Sequence, residues 1–394
     1  MWKILLMTLG LFLLPLACGG GSRSVQPPPQ PPPPAPMGWS EPQCAAVSGS
    51  SFLTYSRDGG VTITPNEFEN FPPESSTFVL GLLVSDEPDL LYAVVNSSAM
   101  ISEDAGCSWE VMGTISSTGA AFKLVPAPGG EAYGYTLFDA QLLHFSRDTG
   151  LTNLRAPTAR IHHMTAPMEA AGTVLLISRE DGLVYRSQDE GATWLPQGVP
   201  IPNSDLFNFA VFDPNDEDHL LGGTAGPDKG ENHAGFWVSF DGGGSWQQAE
   251  GFGGDRIIGF AGAVSPVDGN LVWALGLNLT EFDNGGTVNA RYIYRSLDGG
   301  RNFQAVIQAD NRQVTLTNGT PLFAHAQDTN QLYFSHADSL QENTSDLYHF
   351  DNTTGTVTRR RHVYSGAGEF LVLAFHPENH DLIYLGRSFQ NISF

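Results

Sequence analysis

The chain has 394 residues, 41% of them hydrophobic and only 15% charged, which is enough apolar material for one large core or two ordinary ones. A formal net charge of -23 argues against nucleic acid and against docking on anionic lipid, since both need clustered Lys and Arg. It leaves two readings, a solvated acidic surface or an acidic cleft for a cationic ligand. The 44 Gly and 26 Pro favour many short strands and tight turns over long helices.

Taken in chain order, residues 1–17 read as an export signal. Lys3 supplies the positive charge, and the apolar run from Ile4 to Leu16 is too short to span a bilayer. The stretch Leu14-Pro15-Leu16-Ala17-Cys18-Gly19 resembles a bacterial lipobox, although Pro15 stands where a branched apolar residue is usual. That resemblance implies lipidation of Cys18 and, because Gly19 replaces the Asp of an inner-membrane retention signal, an outer-membrane lipoprotein of the cell envelope. The alternative is a plain signal peptide cleaved nearby.

Residues 18–43 then form a Gly- and Pro-rich linker, dominated by the run from Pro27 to Pro36. Such a segment buries little and adopts extended polyproline II form, a spacer of roughly 45 Å at about 3.1 Å per residue. With Cys18 assigned to lipid, Cys44 and Cys107 remain. An exported compartment permits them to pair, but spacing alone does not show proximity, so a disulfide and two thiols both stay open.

From Cys44 to Phe394 a short pattern recurs: Ser, any, Asp, any, Gly, any, a small polar residue, then an aromatic. It is clear at Ser102-Glu-Asp104-Ala-Gly106-Cys-Ser108-Trp109 and around Asp189 and Asp241, weaker around Asp298, Asp58 and Asp148, and eroded at Asp351. Consecutive aspartates lie 46, 44, 41, 52, 57 and 53 residues apart, the length of a four-stranded propeller blade. The residue types are those of a turn: Asp accepts backbone N–H groups, Gly supplies a conformation a Cβ resists, and the aromatic ring buries beside them. These seven aspartates are therefore read as structural. Between boxes a second strand starts on an apolar residue and an aromatic, as in Leu91-Tyr92, Val272-Trp273, Leu332-Tyr333 and Ile383-Tyr384.

The repeat resembles the Asp-box, or bacterial neuraminidase repeat, propellers, a superfamily that includes sialidases, sortilin-type domains, xyloglucanases and a photosystem II assembly factor. The resemblance covers residues 44–394 and implies an all-β fold. The first box has only a strand ahead of it, and the segments 369–375 and 381–385 have no box behind them. Joined, they make one blade from both termini, so the expectation is a closed, monomeric seven-bladed β-propeller of four-stranded blades.

In such propellers the boxes lie on the face opposite the usual binding surface. The long loops of that surface are expected at 224–234, 278–290 and 337–345, carrying Asp228, Glu231, His233, Glu281, Asp283, Asp338 and Glu342 as candidate ligand-binding residues. The plainer reading is that these loops are solvated and variable. A sialidase would need three arginines and a Tyr–Glu pair with an Asp. Arg160, Arg256 and Arg312 precede candidate inner strands, but the family's Arg-Ile-Pro signature is absent and sialidases have six blades. Another glycosidase would need two loop carboxylates at a set separation. His162-His163 should point to opposite faces of a strand, which makes a hydrogen-bonded core His the simpler reading than a metal. No phosphate loop, paired-Cys motif or nucleophile elbow occurs, so no cofactor and no metal is expected. The expected function is a non-enzymatic binding or scaffolding module for a protein or glycan, held to the membrane only through its lipid. A glycoside hydrolase and a maturation factor contacting a client protein are the rivals.

Overall fold

The computed structural model describes residues 38–44, 53–65, 79–116, 122–137, 139, 141–202, 207–224, 235–285, 290–310, 313–337, 344–363 and 369–388. They form seven four-stranded antiparallel sheets. Blades 1 to 6 are continuous in sequence, at 79–114, 122–155, 161–197, 207–248, 257–308 and 322–363. Blade 7 takes strands A and B from Glu369–Phe375 and Ile383–Ser388, and strands C and D from Leu53–Ser56 and Thr64–Pro65. Its central pairing sets Leu53 opposite Gly386 and Ser56 opposite Ile383, so the two ends of the chain share one sheet.

The core is divided among the seams between blades. One cluster joins blade 7 to blade 1 through Leu53, Tyr55, Tyr384 and Val79. Further clusters join each blade to the next, and the ring ends with Tyr333 and Leu347 of blade 6 against Leu373, Ile383 and Leu385 of blade 7. The aromatic near the start of strand B supplies much of this filling, since Tyr92, Trp273, Tyr333 and Tyr384 are each at most 2% exposed. Where blades 4 and 5 touch there is no room for a side chain. A Cβ at Gly223 would lie 2.2 Å from Phe209 Cε1 and 3.0 Å from Gly259 Cα.

In an antiparallel blade the A–B and C–D turns fall on one face of the ring, and the B–C and D–A loops on the other. We call these the turn face and the loop face. The compact unit begins at Gly38, six residues before the Cys44 boundary read from composition. Residues 38–44 form a strap over the turn face: Trp39 packs edge-on against His376, the Trp39 and Ser40 N–H groups donate to Glu378 and Asp89, and Cys44 is disulfide-bonded to Cys107. Trp39 has enough apolar surface to hold its segment down, a signal that the surrounding prolines obscured.

Candidate binding face

The turn face spends its carboxylates internally. In five turns the Ser hydroxyl donates to the Asp at 2.7–2.8 Å. The residue four beyond the Asp donates its N–H at 2.8 Å and its side chain at 2.6–2.7 Å. The same Ser oxygen accepts the Gly N–H, for example Gly106 to Ser102 at 2.9 Å, with Gly106 at φ +89 where a Cβ is strained. For Asp58, Asp104 and Asp298 burial pulls the carboxyl up, but these hydrogen bonds outweigh it and hold the group below its usual range. In Asp241 the Ser245 bonds lead, and in Asp189 those from Thr193 and Ser187 hold the carboxyl at about 2.

Two copies depart from this geometry. The turn at Asp148 is a tight hairpin running straight from Ser146 into the next strand at Gly150, and Ser146 Oγ caps it by accepting the Asp148 N–H. Asp351 instead accepts from Thr353 and Thr354.

On the loop face, Asp228, Glu231, His233, Asp338, Glu342 and Arg312 lie outside the described residues. Glu281 and Asp283 lie on a short helix, Leu279–Asp283, in the B–C loop of blade 5. Asn278 caps it, accepting from Glu281 N at 3.0 Å and donating to Asp255 at 2.7 Å. Glu281 accepts the Tyr292 hydroxyl at 2.7 Å, and Gln308 donates to the same phenol oxygen at 2.8 Å. Asp283 pairs with Arg256 at 2.5 Å. Phe282, between the two carboxylates, is 46% exposed. The helix therefore presents an aromatic side chain within a rim of three carboxylates and one guanidinium.

Burial, then the Glu281 hydrogen bond and charge, pushes the Tyr292 phenol up to about 12, so it is a proton donor at neutral pH and a poor nucleophile. Arg256 is committed to Asp283, while Arg160 meets Thr158 and Arg179 through its backbone carbonyl. A polar hollow of about 270 Å³ on blade 2, lined by Ser116, Asp139, Gln141 and Asn153, is wide open and below the usual size of a ligand pocket. Tyr292 and Gln308 escaped the sequence reading because nothing local marks a residue that meets its partner from the next strand.

His162 and His163 do not simply alternate, because a bulge separates Ile161 from His163. Burial keeps both neutral, held down to about 3, and His163 Nδ1 accepts the Phe212 N–H from blade 4. Among the described residues no group of three or more His, Cys, Asp or Glu is placed to hold a metal ion.

No protein-family model matches the chain. The chain is 33% identical over 351 residues to the dispase autolysis-inducing protein of Streptomyces mobaraensis, spanning 89% of this chain and 90% of the relative. It belongs to that protein's family. The match to the dispase autolysis-inducing protein spans about nine-tenths of both chains. Solved structures resemble the fold at far lower identity. A GH74 enzyme of Niastella koreensis has a TM-score of 0.54 at 12% identity, covering 85% of this chain and 53% of the enzyme. YCF48 bound to D1 peptide has a TM-score of 0.52 at 14% identity, covering 82% and 99%. YCF48 from Cyanidioschyzon merolae has a TM-score of 0.51 at 12%, covering 80% and 97%.

Proposed function

We propose that this protein is an exported, lipid-anchored binding module that engages a protein partner through its loop face, and that the partner is an enzyme whose autolysis it induces. The 33% identity to the dispase autolysis-inducing protein across nine-tenths of both chains carries the reading. The occupied carboxylates of the turn face and the exposed Phe282 in a polar rim support the choice of face, since buried aromatic anchors dominate protein interfaces. The test is to mix the purified protein with dispase and follow intact dispase over time. Faster loss of dispase is expected, with a Phe282→Ala, Asp283→Ala variant slower than the parent. No change in dispase lifetime at any ratio would sink the reading.

The anchor is read from the Leu16-Ala17-Cys18 stretch, and a Cys18→Ser protein is expected to leave the membrane fraction. Retention of that variant with membranes would refute lipidation at Cys18. A glycosidase remains the second reading, on the Glu281, Tyr292 and Asp283 constellation. Hydrolysis of chromogenic glycosides that a Glu281→Gln substitution abolishes would establish it against the binding module.

A further inference from the structure

The turns that close strand A do the same job in most blades with different chemistry. In blades 1 and 5 a serine hydroxyl, on Ser85 or Ser265, accepts the backbone N–H two residues on, at 3.1 and 3.2 Å. In blade 4 the carboxylate of Asp213 accepts from Asn215 N at 2.8 Å. In blades 6 and 7 the acceptor is imidazole: His325 Nδ1 takes the Gln327 N–H at 3.1 Å, and His376 Nδ1 takes those of Glu378 and Asn379 at 3.1 and 2.8 Å. The far nitrogen of each ring then donates across a gap, His325 Nε2 to His380 O at 3.0 Å and His376 Nε2 to Ser40 O of the strap at 3.3 Å. A third ring is wired the same way. His349 Nδ1 accepts from Arg360 at 3.3 Å, and its Nε2 faces Gln331 Oε1 at 3.1 Å.

All three patterns require a neutral ring protonated on Nε2. An imidazolium has two donors and no acceptor, so protonation must break each Nδ1 bond. The bonds sit where closure depends on them. Arg360 also donates to Gly59 O, and His362 Nε2 meets Gly60 O at 3.0 Å, so the outer strand of blade 6 grips the N-terminal turn of blade 7. Five of the chain's 11 histidines, 325, 349, 362, 376 and 380, lie in this region.

We propose that the seam between blades 6 and 7, with the strap that crosses it, is an acid-sensitive latch, which opens when His325, His349 and His376 become protonated while the rest of the ring stays folded. The groups facing each ring do not cancel this. Around His325 stand His380, Asp328 and Asp381, with burial the largest influence, and its proton affinity is lowered. His349 faces Arg360, His325 and His380 against Asp351, and burial first, then Arg360, hold it down to about 4. His362 faces Arg360 against Asp346 and Asp58, and His376 faces Glu378, Asp89 and Glu41, and burial again leads in lowering both. The sign follows. Between the free-imidazole value of 6.5 and about 4 the unfolded chain binds more protons than the fold at His349, so stability falls as pH falls through that window and levels off below it.

The test is hydrogen exchange on the full chain, corrected for the intrinsic pH effect, at about pH 7 and about pH 4.5. Protection in 322–388 and the strap is expected to drop by at least about tenfold at the lower pH, with blades 1 and 5, whose strands hold no histidine, unchanged. The double variant His325→Ser, His376→Ser installs the acceptor already used in blades 1 and 5, and its opening is expected to shift down by roughly one pH unit. Should that variant not fold, His376→Asn keeps both an acceptor and a donor without titrating, and is expected to hold the strap closed at about pH 4.5. Uniform loss of protection around the ring, or variants that open at the parent's pH, would overturn the latch.

Discussion

Asp104 and Asp148 occupy equivalent places in the repeat and do unlike work. The Asp104 carboxylate accepts from Ser102, Cys107 and Ser108, the last through both backbone and hydroxyl. Asp148 contributes its N–H to Ser146 Oγ, and among the described residues no donor meets its carboxylate. Charge-assisted bonds of this kind contribute more than neutral ones, discounted here because the turn faces water. Asp104→Ala is therefore expected to lower stability by about 1–2 kcal/mol, and Asp148→Ala by less than about 0.5 kcal/mol. Paired urea titrations of the two variants check this. Equal losses would mean that the box aspartates matter through the unfolded chain rather than through these bonds.

The strap and its disulfide belong to the scale of elements. Cys44 lies in the strap and Cys107 within the first complete blade's turn, 63 residues apart in sequence, so the bond ties the strap to blade 1 beside the blade assembled from both termini. Closing a loop of that length is worth up to ~4 kcal/mol in the chain-entropy account. Replacing both cysteines with serine is expected to cost about 2–4 kcal/mol and to make the thermal transition insensitive to reductant. A parent protein whose melting is also insensitive to reductant would remove the clasp from the account. The blades were legible in the sequence because each signal is local: a turn motif spans eight residues, and an aromatic marks the start of strand B. The complementary ends, one supplying strands C and D and the other A and B, followed from the same count. What stayed hidden depends on contacts distant in sequence. Trp39 reaches His376, Tyr292 reaches back to Glu281 across the loop, and His325 and His376 resemble any buried histidine until set beside the serines at equivalent turns. Most of the candidate loop carboxylates lie outside the described residues, so the loop face is represented chiefly by blade 5.

At the scale of the whole molecule, closure rests on one sheet. Deleting 369–394 removes strands A and B of blade 7 and leaves Leu53–Ser56 with no inner partner. The deletion discards six buried apolar side chains, Val372, Leu373, Leu382, Ile383, Tyr384 and Leu385. At about 1.5–3 kcal/mol each, the loss is roughly 9–18 kcal/mol, as large as the whole net stability of an ordinary domain. It also uncovers the flanks of both neighbours, Tyr333 and Leu347 on one side and Val79 and Leu82 on the other. An open ring with two bare apolar flanks and free strand edges is expected to associate rather than persist. Light scattering on the truncated protein should therefore find aggregates, and a folded monomer would show that the ring does not need its last blade. The converse experiment separates the strands from their covalent order. Leu53 pairs with Gly386 and so lies beside the end of strand B at Ser388, which a short turn can bridge. A permutant so joined, with new termini placed between blades 3 and 4, keeps every pairing of blade 7. It is expected to remain monomeric, because closure depends on which strands meet and not on where the chain begins.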